Sequence, residues 1–147
     1  MTHEWDALNA AATERLRALA AGLTTADFDR AEDGWPLSAI LCHLAFWDRR
    51  GRFVLEAWDR GEVAPRPDDD FYDSHVLNEA LIAEWRAVPG VGAARLAVEA
   101  ADAIDRVVAG LQPSTVDTVA ALDELWRLRR HNHRLEHVEQ MARLIAR

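Results

Sequence analysis

Apolar residues recur along this chain at the three- and four-residue spacing of amphipathic helices. The first such pattern covers residues 3–22 and ends at Gly22, a residue type that commonly stops helices. The second predicts a helix that begins near Pro36 and ends at Arg60, before Gly61. Its inward face contains Ile40, His43, Leu44, Trp47, Gly51, Val54 and Trp58, and we expect Asp48 to lie mostly outside it.

The segment that follows breaks this periodicity. Residues 61–73 contain two prolines and four aspartates, which cannot be held in a regular helix throughout. We interpret the segment as a long crossover. Since a crossover of this length lets the next helix run parallel to the previous one, the pattern favours an up-down-down-up topology.

The second half predicts three more segments. Helices over 74–87 and 91–108 are separated by Pro89-Gly90 and are expected to form one kinked arm. Residues 115–122 are ambiguous, because valine and threonine suit extended structure whereas alanine suits a helix. The last helix is predicted to begin near Asp123, as its N-cap, and to reach Ile145.

Length and composition support this picture. The chain has 147 residues, half of them hydrophobic, which is enough for one core and predicts a single domain over 1–147. Alanine and leucine dominate the apolar residues, so we expect an all-α four-helix bundle.

Charge and residue usage narrow the function classes. A net charge of −8 would repel a phosphate backbone, so nucleic acid is not an expected partner. The sequence contains no lysine, which excludes Schiff-base chemistry on the protein. The single cysteine, Cys42, permits no intrachain disulfide and is expected to be inert packing. There is no leader pattern or membrane-spanning apolar run, so we expect a cytoplasmic protein without a membrane partner.

Three histidines are the candidate chemistry. His133 and His137 are four positions apart, so their imidazoles lie about 40° apart around a helix and can converge. His43 lies on the inward face of the second helix, a natural neighbour of the last helix in a bundle. Three histidine ligands with an open position describe a catalytic metal site, whereas each histidine alone is also compatible with a structural or surface role. We expect His3, His75 and His131 to be surface residues.

Two rival interpretations use the same residues. His133-Arg134-Leu135-Glu136-His137 matches the H-x-x-E-H signature of inverted zinc peptidases, with Glu136 as general base. We disfavour it because only ten residues follow His137, which leaves no downstream acidic ligand. The tryptophans are expected to be core residues, except that Trp47, one turn from His43, could form a wall of a substrate pocket.

A resemblance to a known family rests on two segments. Residues 34–44, Gly-Trp-Pro-Leu-Ser-Ala-Ile-Leu-Cys-His-Leu, are similar to the first signature of DinB/YfiT-like proteins, and His133-x-x-x-His137-x-x-Gln140 is similar to the second. The Asn78-Glu79-Ala80 region resembles the branch of mycothiol-dependent maleylpyruvate isomerases. The resemblance implies a DinB-like four-helix bundle that holds zinc or nickel on His43, His133 and His137.

The resemblance also implies a range of activities. The leading hypothesis is a metal-dependent thiol transferase or isomerase that activates a low-molecular-weight thiol, such as mycothiol, against a small electrophile. The alternatives are a metal-dependent hydrolase and a non-catalytic stress-response binding protein with a vestigial metal site. A homodimer is compatible with the sequence, and the absence of lysine with abundant alanine and arginine suggests a GC-rich bacterial genome.

Some supporting residues can be named from the sequence, although no catalytic residue can. Trp47, Arg50 and Arg134 are candidates for binding the thiol, the arginines through its carboxylates. Glu136 or Glu139 is a candidate acceptor for the second nitrogen of a ligand imidazole.

Overall fold

The computed structural model describes residues 2–147 and confirms the all-α class. The helices of this range are α1 Glu4–Ala21, α2 Leu37–Asp59, α3 Val76–Ala87, α4 Gly90–Gly110, α5 Pro113–Ala121 and α6 Arg130–Ile145. Single helical turns lie at Thr25–Asp29, Phe71–His75 and Leu125–Arg127. Within the described range, no helix combines the length and the apolarity that crossing a bilayer would take.

The long helices pack on one another around α2. Helix α2 lies along α4 and also contacts α6 and α3, whereas α1 packs against α6 and α4. One apolar cluster lies around the N-terminal half of α2 and includes Leu37, Leu41 and Leu44. A second cluster lies around Leu55 and Ile104, towards the other end of α2. Helix α2 is therefore the central element, in contact with the helix that carries His133 and His137.

A short β-hairpin precedes α2 and was not predicted. Strand β1, Ala31–Glu32, pairs antiparallel with strand β2, Trp35–Pro36. The two residues of its turn, Asp33 and Gly34, have φ of 52° and 80°. Asp-Gly is the preferred sequence of a two-residue hairpin turn because both positions need a positive φ, so the signal was present in the sequence. The hairpin places Glu32 and Trp35 beside the start of α2.

The predicted start of the last helix was wrong. Asp123 has φ of 58° and follows the end of α5, so it is a left-handed residue that closes one helix. An N-cap would need extended backbone instead. A single turn at Leu125–Arg127 follows, and α6 begins only at Arg130.

The other boundaries fall close to the predictions. The ambiguous segment 115–122 lies mostly within α5, and the predicted break at Pro89-Gly90 separates α3 from α4. Residues 61–70 form no helix, as expected for the crossover, but the following helix begins with a π-helical turn at Phe71, slightly before position 74.

Helix α1 buries polar as well as apolar side chains. Leu8 is 47% exposed, whereas Asn9 and Thr13 are buried. Asn9 Nδ2 donates to the carbonyl oxygen of Leu128 at 2.8 Å, and Thr13 Oγ1 accepts from Arg134 Nη1 at 2.8 Å. Hydrophobic periodicity alone could not identify this face, because its polar side chains are buried. Their hydrogen bonds to Leu128, just before α6, and to Arg134, within α6, compensate for the loss of water.

Candidate metal centre

His43, His133 and His137 meet between α2 and α6. His43 Nε2 and His133 Nε2 are 3.0 Å apart, and one ligand nitrogen from each of the three rings lies within 4.8 Å of the others. The ring centroids are 4.7 to 5.0 Å apart and the rings meet edge to face. The predicted convergence of His133 and His137, and their approach to His43, are therefore present in the structure.

A buried ion-pair network fixes the two helices that carry the histidines. Asp48, five residues beyond His43 on α2, accepts hydrogen bonds from Arg130 Nε at 3.0 Å and from Arg134 Nη2 at 3.1 Å. Asp105 of α4 also accepts from Arg134 Nη2, at 3.1 Å. Asp48 is buried, contrary to the expectation, because the two arginines of α6 provide the charges and hydrogen bonds that compensate for its removal from water.

The environment keeps the buried histidines neutral. Burial, with a smaller contribution from nearby His137, lowers the pKa of His43 from 6.5 to about 3. Burial also lowers the pKa of His133 well below its usual value, and His137 and Arg130 add to this effect. Neutral imidazole is the form that binds metal ions, because its unprotonated nitrogen supplies the lone pair.

The donor set fits a transition-metal ion. Two nitrogens bound to one tetrahedral zinc at 2.0–2.1 Å lie about 3.3 Å apart, close to the 3.0 Å between His43 Nε2 and His133 Nε2. Imidazole ligands suit zinc, nickel and copper better than magnesium or calcium, which prefer oxygen. Three histidines leave a fourth position for water or substrate. These residues could therefore hold a metal ion with an open position.

The second nitrogen of His137 has a partner that sequence reasoning did not assign. His137 Nδ1 lies 2.7 Å from Gln140 Oε1, and Gln140 Nε2 donates to Glu32 Oε2 at 2.9 Å. Glu136 and Glu139, the acceptors suggested from the sequence, are exposed. An i, i+3 spacing from His137 to Gln140 on one helix was a usable signal, whereas nothing in the sequence pointed to Glu32.

Aromatic rings surround His43. Trp35 of the hairpin and Trp85 of α3 each lie edge-on to its ring with centroids 5.5 Å away, and Trp47 lies at 6.4 Å. Trp47 Nε1 donates to Asn78 Oδ1 at 2.8 Å, which connects α2 to α3. With these rings around it His43 is only 8% exposed, and this burial favours the neutral imidazole.

A pocket of about 210 Å³ opens beside the histidines. Its lining contains no carboxylate and consists of His43, Trp47, Ser74, Asn78, Trp126, Arg129, Arg130, Asn132 and His133. Arg130 is paired with Asp48, whereas Arg129 takes part in no ion pair found within residues 2–147. The pocket thus has a positive lining in a protein of net charge −8.

The three candidate thiol-binding residues lie in different places. Trp47 lines the pocket, as expected of a wall residue. Arg50 lies against the Trp47 ring but pairs with Asp68 and lines a separate cavity of about 310 Å³ beside the crossover. Arg134 is 1% exposed and bound to Asp48 and Asp105, so its prediction as a thiol-binding residue needs correction.

Cys42 and the other three histidines lie outside the cluster of His43, His133 and His137. Cys42 is buried, and burial raises the pKa of its thiol to about 11, consistent with packing rather than reactivity. His131 is only partly exposed, because its Nδ1 lies 3.1 Å from Asn9 Oδ1 in the interface with α1; it does not simply face solvent. His75 is exposed, as predicted, and His3 stacks on Trp5.

Comparisons of the chain with protein-family models, with curated proteins and with solved structures find no match. The histidine cluster and its pocket are therefore the features of the molecule that indicate a function.

Proposed function

We propose that this protein is a divalent-metal-dependent enzyme of the DinB-like superfamily, a four-helix bundle with a long crossover before α3. His43, His133 and His137 hold the ion, with zinc or nickel as the metal. The observation that carries the proposal is the convergence of three imidazoles within 4.8 Å of one another, two of which, those of His43 and His133, line a pocket.

The proposed reaction is transfer of a thiol to a small electrophile, or an isomerisation that uses such a thiol. A metal ion with an open position lowers the pKa of a bound thiol and makes the thiolate available at neutral pH. A pocket of about 210 Å³ is smaller than typical drug-sized sites, which matches a small reaction centre.

The pocket lining favours thiol activation over peptidase chemistry. In an H-x-x-E-H peptidase Glu136 would act as general base at the metal. Glu136 is exposed and is not among the residues that line the pocket. A metal-bound thiol needs no carboxylate beside it, since the positive charge of the ion lowers its pKa.

Arg129 replaces Arg50 and Arg134 as the candidate that binds an anionic group of the thiol or electrophile. It is the pocket cation that takes part in no ion pair within the described residues, whereas Arg50 pairs with Asp68 and Arg134 with Asp48. An arginine can bind a carboxylate through two parallel hydrogen bonds.

The first test is the metal content of protein purified without a histidine tag. We expect close to one zinc or nickel per chain in the wild type and loss of the metal in the double variant His133→Ala/His137→Ala. His75→Ala is the matched control, because it removes an exposed histidine outside the cluster and should leave the metal content unchanged. A wild type that stays free of metal after incubation with zinc and nickel would refute the site.

The second test measures thiol transfer. Metal-loaded wild type is assayed with a panel of low-molecular-weight thiols and small electrophiles, alongside metal-free protein and His43→Ala. We expect turnover in the loaded wild type but not in metal-free protein or in His43→Ala. Metal-loaded Arg129→Gln should show a raised KM for an anionic thiol with a smaller effect on kcat. Equal rates in all samples would support a binding protein with a vestigial site instead.

A further inference from the structure

We propose that Gln140 and Glu32 form a relay that fixes the tautomer of His137 and so presents its Nε2 lone pair to a metal ion. In this role Gln140 is a positioning residue, and Glu32 sets the direction of its amide. The inference rests on the metal site proposed above, but it makes a separate statement about the metal-free protein.

The direction of every hydrogen bond in the relay follows from Glu32. An ionised carboxylate only accepts hydrogen bonds, so the Gln140 atom 2.9 Å from Glu32 Oε2 must be the amide nitrogen. The amide oxygen then lies 2.7 Å from His137 Nδ1 and also only accepts. His137 Nδ1 must therefore carry the proton, which leaves the lone pair on Nε2.

The structure keeps Glu32 in its charged form. Its other oxygen, Oε1, accepts a hydrogen bond from Arg147 Nη2 at 3.2 Å. The hydrogen bond from Gln140 and the nearby charges of Arg147 and Arg143 hold the pKa of Glu32 below its usual value. The acceptor at the end of the relay is thus a carboxylate at neutral pH. It accepts a hydrogen bond only from the amide nitrogen of Gln140, so the observed orientation of the amide is the favoured one.

The relay distinguishes His137 from His43. His43 Nδ1 is buried and has no hydrogen-bond partner within residues 2–147. Its ring contacts Trp35 and Trp85, and its Nε2 lies 3.0 Å from His133 Nε2, whereas the Nδ1 of His137 is held by Gln140. Because outer hydrogen bonds orient metal ligands and raise their basicity, His137 is the ligand that the hairpin orients through hydrogen bonds, by way of Gln140, whereas Trp35 of the hairpin only packs against the ring of His43.

The tautomer is measured by NMR on metal-free protein, through the ring nitrogen shifts of His137 at pH 8. In the wild type we expect the Nδ1–H form. In Glu32→Gln we expect a mixture of tautomers, since the introduced amide can donate as well as accept and the Gln140 amide can turn round. Glu84→Gln removes one exposed carboxylate on α3 and is the charge control; it should keep the wild-type tautomer.

Zinc affinity is measured by competition with a chromophoric chelator. We expect Gln140→Leu to weaken zinc binding about 10- to 100-fold, the usual effect of removing such a partner. Glu32→Gln should weaken it less, and Glu84→Gln should leave it unchanged.

A double variant provides the rescue. Glu32→Gln/Gln140→Glu places the carboxylate next to His137 and the amide beyond it, which reverses the order of the groups but still provides an acceptor for Nδ1–H. We expect it to restore both the Nδ1–H tautomer and most of the zinc affinity. A residue with only a packing role would not show this rescue.

The possible failures can be told apart. A wild-type His137 with its proton on Nε2, or a Gln140→Leu variant that binds zinc as tightly as the wild type, would overturn the relay while leaving the metal site intact. A wild type that binds neither zinc nor nickel would refute the proposed function, and the tautomer measurement would still decide whether the relay exists.

Discussion

Removing Asp48 should destabilise the protein strongly, because it leaves a buried arginine without a counter-charge. Asp48 lies between Arg130 and Arg134, and the three side chains are 1% to 4% exposed. In Asp48→Ala, Arg134 keeps Asp105, whereas Arg130 keeps only a long hydrogen bond of 3.4 Å to the carbonyl oxygen of Trp126.

The size of the effect follows from this burial. Removing one partner of a buried ion pair typically costs about 3–5 kcal/mol, because the remaining charge is desolvated and unpaired. For a chain of this length that corresponds to a fall in Tm of roughly 10–16 °C. We also expect weaker zinc binding, since Asp48 joins the two helices that carry the histidine ligands.

The assay is urea unfolding of metal-free protein followed by circular dichroism. Asp102→Ala is the matched control, because Asp102 pairs with Arg17 at the surface, where water screens both charges; we expect no resolvable change there. The double variant Asp48→Ala/Arg130→Met should regain part of the lost stability, because it also removes the buried, unpaired charge of Arg130. A loss below about 1 kcal/mol in Asp48→Ala would refute the reasoning.

Three further predictions concern other parts of the fold. Cys42 should react with a thiol reagent at pH 8 only as fast as the protein unfolds, because its thiol is buried with a pKa near 11; immediate labelling of native protein would contradict this. Metal-free protein should lose stability as the pH falls from 6.5 towards 3, because His43 takes up a proton in the unfolded chain but, with its pKa of about 3, stays neutral in the folded protein. This group alone should make the free energy of unfolding about 1 kcal/mol lower at pH 5.5 than at pH 7.5. A free energy of unfolding that does not change with pH would contradict this prediction. Gly90→Ala should lower the free energy of unfolding, measured with urea, by about 1–3 kcal/mol, because the added carbon would lie 2.2 Å from the Phe28 ring. Gly51→Ala should lower it less, because there the added carbon meets only the flexible end of Ile104, at 2.9 Å.

The sequence was most informative where a single periodicity decided the structure. The inward stripe of α2 and the i, i+4 spacing of His133 and His137 were sufficient to predict the histidine cluster. The start of α6 was not predictable in the same way, because Asp123 suits both an N-cap and a left-handed turn, and only the surrounding chain decides between them.

Buried polar groups account for the other differences. Asp48 and Arg134 resemble surface residues in a hydrophobicity pattern, and their burial depends on partners far away in the sequence. The same is true of Glu32, which reaches Gln140 across 108 positions. Such pairings are tertiary properties, so residue periodicity contains no information about them.

The ligands of the candidate centre are divided between two distant parts of the chain, since His43 and His133 are 90 positions apart. An isolated α6 peptide holds two of the three nitrogens and cannot form the site. A bound ion would therefore close a loop of 90 residues. Closing so long a loop costs chain entropy, and the folded protein has already lost that entropy before an ion binds. Metal binding would then be coupled to global folding, so that amide hydrogens in α2 and α6 become protected against exchange together rather than in one helix first.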